Sequence, residues 1–249
     1  MPATADRCLG ASSSREGLVG TTLAADLAAA SLDLARRFAA GATMRCCAPE
    51  WTSHASHVAV EFVHPVIVGK RAFPALVAEG RDLVATIRLA ASPGDILLAI
   101  ARGDDEGVGA AMRRSPAWGL RSFWIGTGTG TRPPAGAADH VLWLDTDVET
   151  AAFGGGYVLV YHLLWELTHV CFEHPGLLND ADGDCGDVVC VTCSDEGRLA
   201  EVISSGPPNN AQVRTAKGIE TIDTTLIGTP APGDLVLVHA GSAMSLLEG

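Results

Sequence analysis

The sequence predicts an α/β protein: a three-layer α/β/α sandwich built on a parallel sheet, followed by a small β-barrel. Between Ala42 and Leu144, nearly continuous apolar segments alternate with stretches of helical period, the pattern expected of strands buried on both faces. Residues Pro175 to Asp187, rich in Gly, Asp and Asn, interrupt that pattern. Beyond Val188 the chain turns to short alternating stretches separated by Gly-Pro and Pro-Gly pairs, which points to a barrel. The expected organisation is a flexible leader over residues 1–19, the α/β domain over 20–178, a linker over 179–187 and the barrel over 188–249.

In chain order, the first helix is expected from Thr21 to Ala40. Leu23, Leu27, Ala30, Leu34 and Phe38 recur every third or fourth residue, and Gly41 ends the run. Strands are expected at Ala42–Ala48, Pro65–Val68, Asp95–Ile100, Arg121–Gly126 and His140–Leu144. Helical patterns fall between them near His54–Phe62, Arg81–Ala91 and Glu106–Ala117, and a longer apolar helix from Gly156 to Phe172 completes the layer. In the barrel the candidate strands are Arg198–Ile203, Ala211–Arg214, Gly218–Asp223 and Leu235–His239.

Composition narrows the function classes. A hydrophobic fraction of 47% marks a globular chain, and a formal charge of −12 should repel nucleic acid and anionic membranes. No apolar run approaches the ~20 residues that span a bilayer, and Met1 to Gly20 lacks the basic start and apolar block of a secretory signal, so a cytoplasmic location is expected. Seven cysteines cannot all pair, and the adjacent Cys46 and Cys47 do not look like a disulfide framework, so reduced thiols are expected. Gly126-Thr-Gly-Thr-Gly130 lacks the GxGxxG spacing, and no dinucleotide site is expected.

Two groups of residues carry chemistry. Cys190-Val-Thr-Cys193 opens the C-terminal part, and His239 ends its last apolar strand; thiolates bind soft metals, and an imidazole can complete or gate such a site. The same Cys-x-x-Cys also suits half of a structural zinc site, with Cys185 and His174 as further ligands, or a redox pair. In the α/β part, His57 and Glu61 stand four residues apart on one face of a helix, where they suit a divalent metal or proton transfer.

The segment Cys190 to Leu247 resembles the HypC/HupF family of nickel-iron hydrogenase formation chaperones, small OB-like barrels. The residues that carry it are Cys190, Arg198-Leu-Ala-Glu-Val202, Asp223-Thr-Thr-Leu-Ile-Gly228 and Pro232-Gly-Asp-Leu-Val-Leu-Val-His239-Ala-Gly241. That resemblance implies a carrier rather than a turnover enzyme. It would hold an iron centre bearing cyanide and carbon monoxide transiently through Cys190, with His239 beside it; Cys193 has no counterpart in the short members and suits either a second ligand or a resolving thiol. Its implied partners are a larger maturation protein and the hydrogenase large subunit.

Residues Thr21 to Leu178 resemble the sugar isomerase (SIS) domain, and within it the sedoheptulose phosphate isomerases. The resemblance rests on Ser53-His-Ala-Ser-His57-Val-Ala-Val-Glu61-Phe62 and Tyr161-His162-Leu-Leu-Trp-Glu-Leu167. It implies a metal site at His57, Glu61 and His162, with Glu61 and His162 catalytic if isomerase activity is retained, and self-association through the long helices. The pattern departs from the family at the phosphate loop. Ala48-Pro-Glu50-Trp51-Thr-Ser53 replaces a Gly/Ser-rich turn, Arg102-Gly-Asp104-Asp105-Glu106 replaces a Ser/Thr loop, and Gly154-Gly-Gly156 stands where a glutamine ligand is expected. The expected function is therefore a hydrogenase-maturation carrier with an SIS-like binding platform; a metal-dependent sugar phosphate isomerase is the alternative.

Overall fold

In the computed structural model the structure describes residues 21–128, 132–179 and 197–247. The α/β layer runs α1 (Thr21–Ala39), β1 (Met44–Cys47), α2 (Thr52–Val63), β2 (Ala75–Val77), α3 (Leu83–Ala90), β3 (Ile96–Arg102), α4 (Glu106–Arg114), β4 (Arg121–Thr127), β5 (His140–Leu144), α5 (Val148–Ala152) and α6 (Gly156–Glu173). Its sheet has the order β2-β1-β3-β4-β5, all parallel.

Strand pleating explains the three layers. On β3, Ile96, Leu98 and Ile100 face one core, which also takes Phe123, Ile125, Leu142 and the apolar faces of α1, α2 and α6. Leu97, Ala99 and Ala101 face the opposite core, with Trp124 and the helices α3 and α4. Side chains that alternate between two apolar cores need residues apolar throughout, as the sequence pattern required. The stripe of α1, Leu23 to Phe38, is buried as expected. Cys46 and Cys47 are consecutive in β1 and so point into opposite cores. Burial raises both thiols, that of Cys47 to about 12, with Asp105 adding to the effect; both are free and protonated at neutral pH.

The strand expected at Pro65–Val68 is corrected. Those residues form an exposed turn, with Val66 and Val68 81% and 100% exposed, and the edge beside β1 is taken by β2 in the register Met44↔Ala75. Apolarity alone suggested the strand. The turn is held by Lys70, which pairs with Glu173 of α6 at 2.7 Å, and the chain re-enters the core at Phe73, stacked on Phe38 at 4.6 Å between ring centroids. The short α5 was not anticipated.

At the N-terminal edge of β4 and β5, Asp33 of α1 accepts hydrogen bonds from Arg121 and from His140, the latter at 2.7 Å. Burial pushes the Asp33 carboxyl up, but the bonds and charges of His140 and Arg121 outweigh it and hold the group well below the usual carboxylate range. A depressed carboxyl stabilises the fold above its unfolded value of about 3.9, and that contribution disappears as pH falls through the folded value. Acid unfolding followed from neutrality to below about pH 4 should therefore be steeper in the wild type than in Asp33→Asn.

The C-terminal part is a closed barrel of β6 (Arg198–Gly206), β7 (Asn210–Thr215), β8 (Gly218–Asp223), β9 (Leu235–His239) and β10 (Ser242–Leu247), in the order β10-β8-β7-β6-β9. The barrel agrees with the sequence; β10 as a separate strand was not foreseen. It forms because Ala240 and Gly241 both have positive φ, 48° and 81°, the two-residue turn that pairs His239 with Ser242.

The barrel docks on α3 and α4. Leu199 and Leu235 join the core around Trp118 and Ile87, and Arg114 donates to the Gly233 carbonyl at 3.3 Å. At the centre, Glu201 of β6 is 2% exposed and accepts from Trp118 Nε1 at 2.8 Å and Arg88 Nη1 at 3.3 Å, with Arg114 and Arg214 at 3.8 and 3.9 Å. Among the described residues no helix is long and apolar enough to cross a membrane.

Candidate functional site

α2 and α6 pack against each other along a ladder of rings. From the N-terminus of α2, Trp51 lies 5.4 Å from Tyr157, His54 lies between Tyr157 and Tyr161 at 5.5 and 6.0 Å, and His57 lies 5.2 Å from Tyr161 and 5.3 Å from His162. The spacing follows from helix geometry: positions 54, 57 and 61 of α2 and 157, 161 and 165 of α6 recur on one face each. His54 is structural; its Nε2 bonds the Ala152 carbonyl at 2.9 Å and ties α2 to α5.

At the outer end of the ladder, His57, Glu61 and His162 bring one ligand atom each within 4.8 Å of one another. Glu61 Oε1 lies 3.3 Å from His57 Nε2 and 3.6 Å from His162 Nε2. Two imidazoles and one carboxylate form the donor set of three-ligand catalytic zinc sites, and tetrahedral bonds of about 2.0–2.1 Å place neighbouring ligand atoms about 3.3 Å apart. The residues therefore fit a divalent cation with one coordination position left for solvent or substrate. The imidazoles are accessible, His57 42% and His162 45% by side chain, while Glu61 at 18% is sheltered between the helices.

Behind the triad, Tyr161 Oη lies 2.7 Å from His57 Nδ1. With the proton on Nδ1, His57 donates to Tyr161 and presents its Nε2 lone pair toward Glu61; this is the second contact that orients a ligating histidine. Burial, with the Glu61 charge in support, pushes the Tyr161 hydroxyl up to about 12, so it stays protonated through the neutral range. Trp165 Nε1 donates to the Glu61 carbonyl at 2.8 Å and locks that turn of α2. Tyr161→Phe should lower zinc affinity about 10–100-fold with the fold retained, as read by competition with a chelator.

The structure thus brings together His57, Glu61 and His162. The C-terminal set is different: Cys190 and Cys193 lie outside the described residues, as does Cys185, while His239 ends β9. His174 caps the end of α6. Tyr161 had no assigned role in the sequence reading. Its signal was its place four residues after Tyr157 and beside His162, legible only once α2 is known to be the facing helix.

The loops at the C-terminal ends of β1 and β3 keep their acidic character. Arg102 and Asp104 share hydrogen bonds of 3.1 and 3.2 Å, and Arg102 holds the Asp104 carboxyl below its usual range. Asp105 caps α4 through the Val108 amide at 2.8 Å. A separate cavity of about 420 Å³ opens on the α4 side of this loop, lined by Asp105, Trp124, Pro133 and Pro134 among others.

No protein-family model matches the chain, and no curated protein matches it. Its similarity is to solved sugar isomerase structures. A phosphoheptose isomerase from Francisella tularensis is 16% identical over 60% of this chain and 86% of that one, with a TM-score of 0.49. A phosphoheptose isomerase from Neisseria gonorrhoeae is 15% identical over 59% of this chain and 86% of that one, with a TM-score of 0.48. The sugar isomerase domain of an RpiR transcription factor from Sphaerobacter thermophilus is 16% identical over 64% of this chain and 90% of that one, with a TM-score of 0.42.

Proposed function

We propose that this chain is a metal-dependent isomerase that interconverts an aldose and a ketose at the outer face of α2 and α6. The observation that carries the reading is the convergence of His57, Glu61 and His162 from two helices at the spacing of a three-ligand cation site. A divalent cation held there would polarise the carbonyl and neighbouring hydroxyl of an open-chain sugar, lowering the barrier to moving a proton between adjacent carbons. Glu61 and His162 would take and return that proton through the carboxylate oxygen and ring nitrogen that a bound cation leaves free, and Tyr161 keeps His57 oriented. A turnover assay on aldose and ketose pairs, run on the wild type and on Glu61→Gln, tests the reading. Activity in the wild type and its loss in the variant are expected; equal inactivity removes it.

A second reading attaches to the barrel. It rests on the sequence resemblance alone; His239 ends β9, which turns into β10 through Ala240 and Gly241. On that reading Cys190 carries a cyanide- and carbonyl-ligated iron toward the hydrogenase large subunit, and the α/β layer serves as its platform. Anaerobic purification with infrared spectroscopy tests it. Cyanide and carbonyl bands that vanish in Cys190→Ala support the carrier, and a wild type without such bands rejects it.

A further inference from the structure

The seam between α3 and the barrel holds more positive charge than its one carboxylate balances. The guanidiniums of Arg88, Arg114 and Arg214 lie 3.3, 3.8 and 3.9 Å from Glu201, three cations against one anion, which leaves a local excess of two charges. Arg114 also donates to the Ala110 and Gly233 carbonyls. Arg88 and Arg214 are less fully used. Among the described residues Arg88 makes one hydrogen bond, from Nη1 to Glu201, and Arg214 makes none, its buried Nε lying too far from Glu201 to donate. A guanidinium carries five N–H donors and no acceptor, so most donors of this pair are left for water or a ligand.

Both arginines line a cavity of about 60 Å³, together with Ala91, Trp118, Thr215 and the exposed Ile219, and no carboxylate lines it. At about 10–15 Å³ for each water-sized sphere, it has room for about four to six such atoms, the size of a tetrahedral oxyanion rather than of a sugar or nucleotide. The Thr215 hydroxyl already donates to the Gly218 carbonyl at 3.0 Å, so the guanidiniums are the groups that select what enters. Ala91 caps the C-terminal end of α3, whose carbonyls act against an anion with about half a unit charge, less than the excess of two. The formal charge of −12 on the whole chain is screened over about 8–10 Å at physiological salt, so these nearest charges decide.

We propose that this cavity binds a tetrahedral oxyanion, either inorganic phosphate or the terminal phosphate of a small monoester, between Arg88 of the α/β layer and Arg214 of the barrel. The fork of a guanidinium matches phosphate oxygens in pairs, and the anion relieves the repulsion among the three cations. Because one arginine comes from each part of the chain, an anion held between them favours the docked arrangement and stabilises it by mass action. The site needs neither a cation at the helix triad nor isomerase activity.

Titration calorimetry of the chelator-treated full chain with sodium phosphate, the ionic strength held constant with sodium chloride, tests the proposal. Phosphate should bind saturably, and at about ten times its Kd it should raise the melting temperature by about 3 °C or more. Arg88→Gln and Arg214→Gln should each weaken binding about tenfold or more, whereas Arg81→Gln, which removes the same charge from an exposed position ahead of α3, should not. Ala91→Asp places a carboxylate in the cavity lining with both guanidiniums intact. It should abolish phosphate binding while the melting temperature without phosphate stays at or above that of the wild type, which separates loss of the site from loosened docking. Glycerol 3-phosphate bound as tightly as phosphate assigns an ester group and phosphate alone assigns the free ion; either supports the site. No saturable phosphate binding, stabilisation matched by sodium chloride, or binding unchanged in Arg88→Gln, Arg214→Gln and Ala91→Asp would overturn it.

Discussion

Glu201→Ala is expected to destabilise the protein by about 3–5 kcal/mol, the range for removing one partner of a buried ion pair. Glu201 is 2% exposed and central to the contact between barrel and α/β layer, so its loss strands the Trp118 indole N–H and leaves Arg114, 16% exposed, without its carboxylate. Arg88 and Arg214, each 37% exposed, recover hydration more easily, which places the effect toward the lower end of that range. Glu201→Gln should lose less, because an amide oxygen still accepts from Trp118 at the same distance. Urea unfolding of the full chain followed by tryptophan fluorescence separates the two. A loss below about 1 kcal/mol in Glu201→Ala would show that the docking does not depend on this carboxylate.

On the proposed isomerase reading, Glu61→Gln is expected to lower turnover by about a hundredfold or more, the scale of a lost general acid–base group. The amide keeps the shape of the side chain and its place between His57 and His162 but neither carries a proton nor binds a cation as an anion does. The fall should lie in kcat, as expected for a group whose contribution is made in the proton-transfer step rather than in substrate binding. Thermal stability should stay close to that of the wild type, because the fold contacts of this turn run through the Glu61 carbonyl and Trp165 rather than through the carboxylate.

Much of the fold was legible because local rules decide it. The α1 stripe Leu23 to Phe38 and the two-sided apolarity of β3 each follow from one element facing one or two cores. The strand at Pro65–Val68 failed for the same reason that the others succeeded: apolar residues mark a strand only where a neighbour is free to pair, and β2 holds that edge. At the site, His57 and Glu61 were legible because one helix turn joins them, whereas His162 entered through resemblance. Tyr161, Tyr157 and the Trp118–Glu201 bond were not legible, since each depends on which helix or barrel strand lies opposite, a fact fixed by packing over long sequence separations.

The proposed chemistry depends on His57, Glu61 and His162 together holding a divalent cation, which their proximity allows. The direct test is zinc titration of the full chain carrying Cys185→Ala, Cys190→Ala and Cys193→Ala, because the Cys-x-x-Cys pair and its candidate third thiol then cannot supply the binding. Stoichiometric, chelator-reversible zinc is expected in that background, and its loss when His57→Ala and His162→Ala are added. Zinc binding that is absent from the first protein, or equal in both, would contradict it.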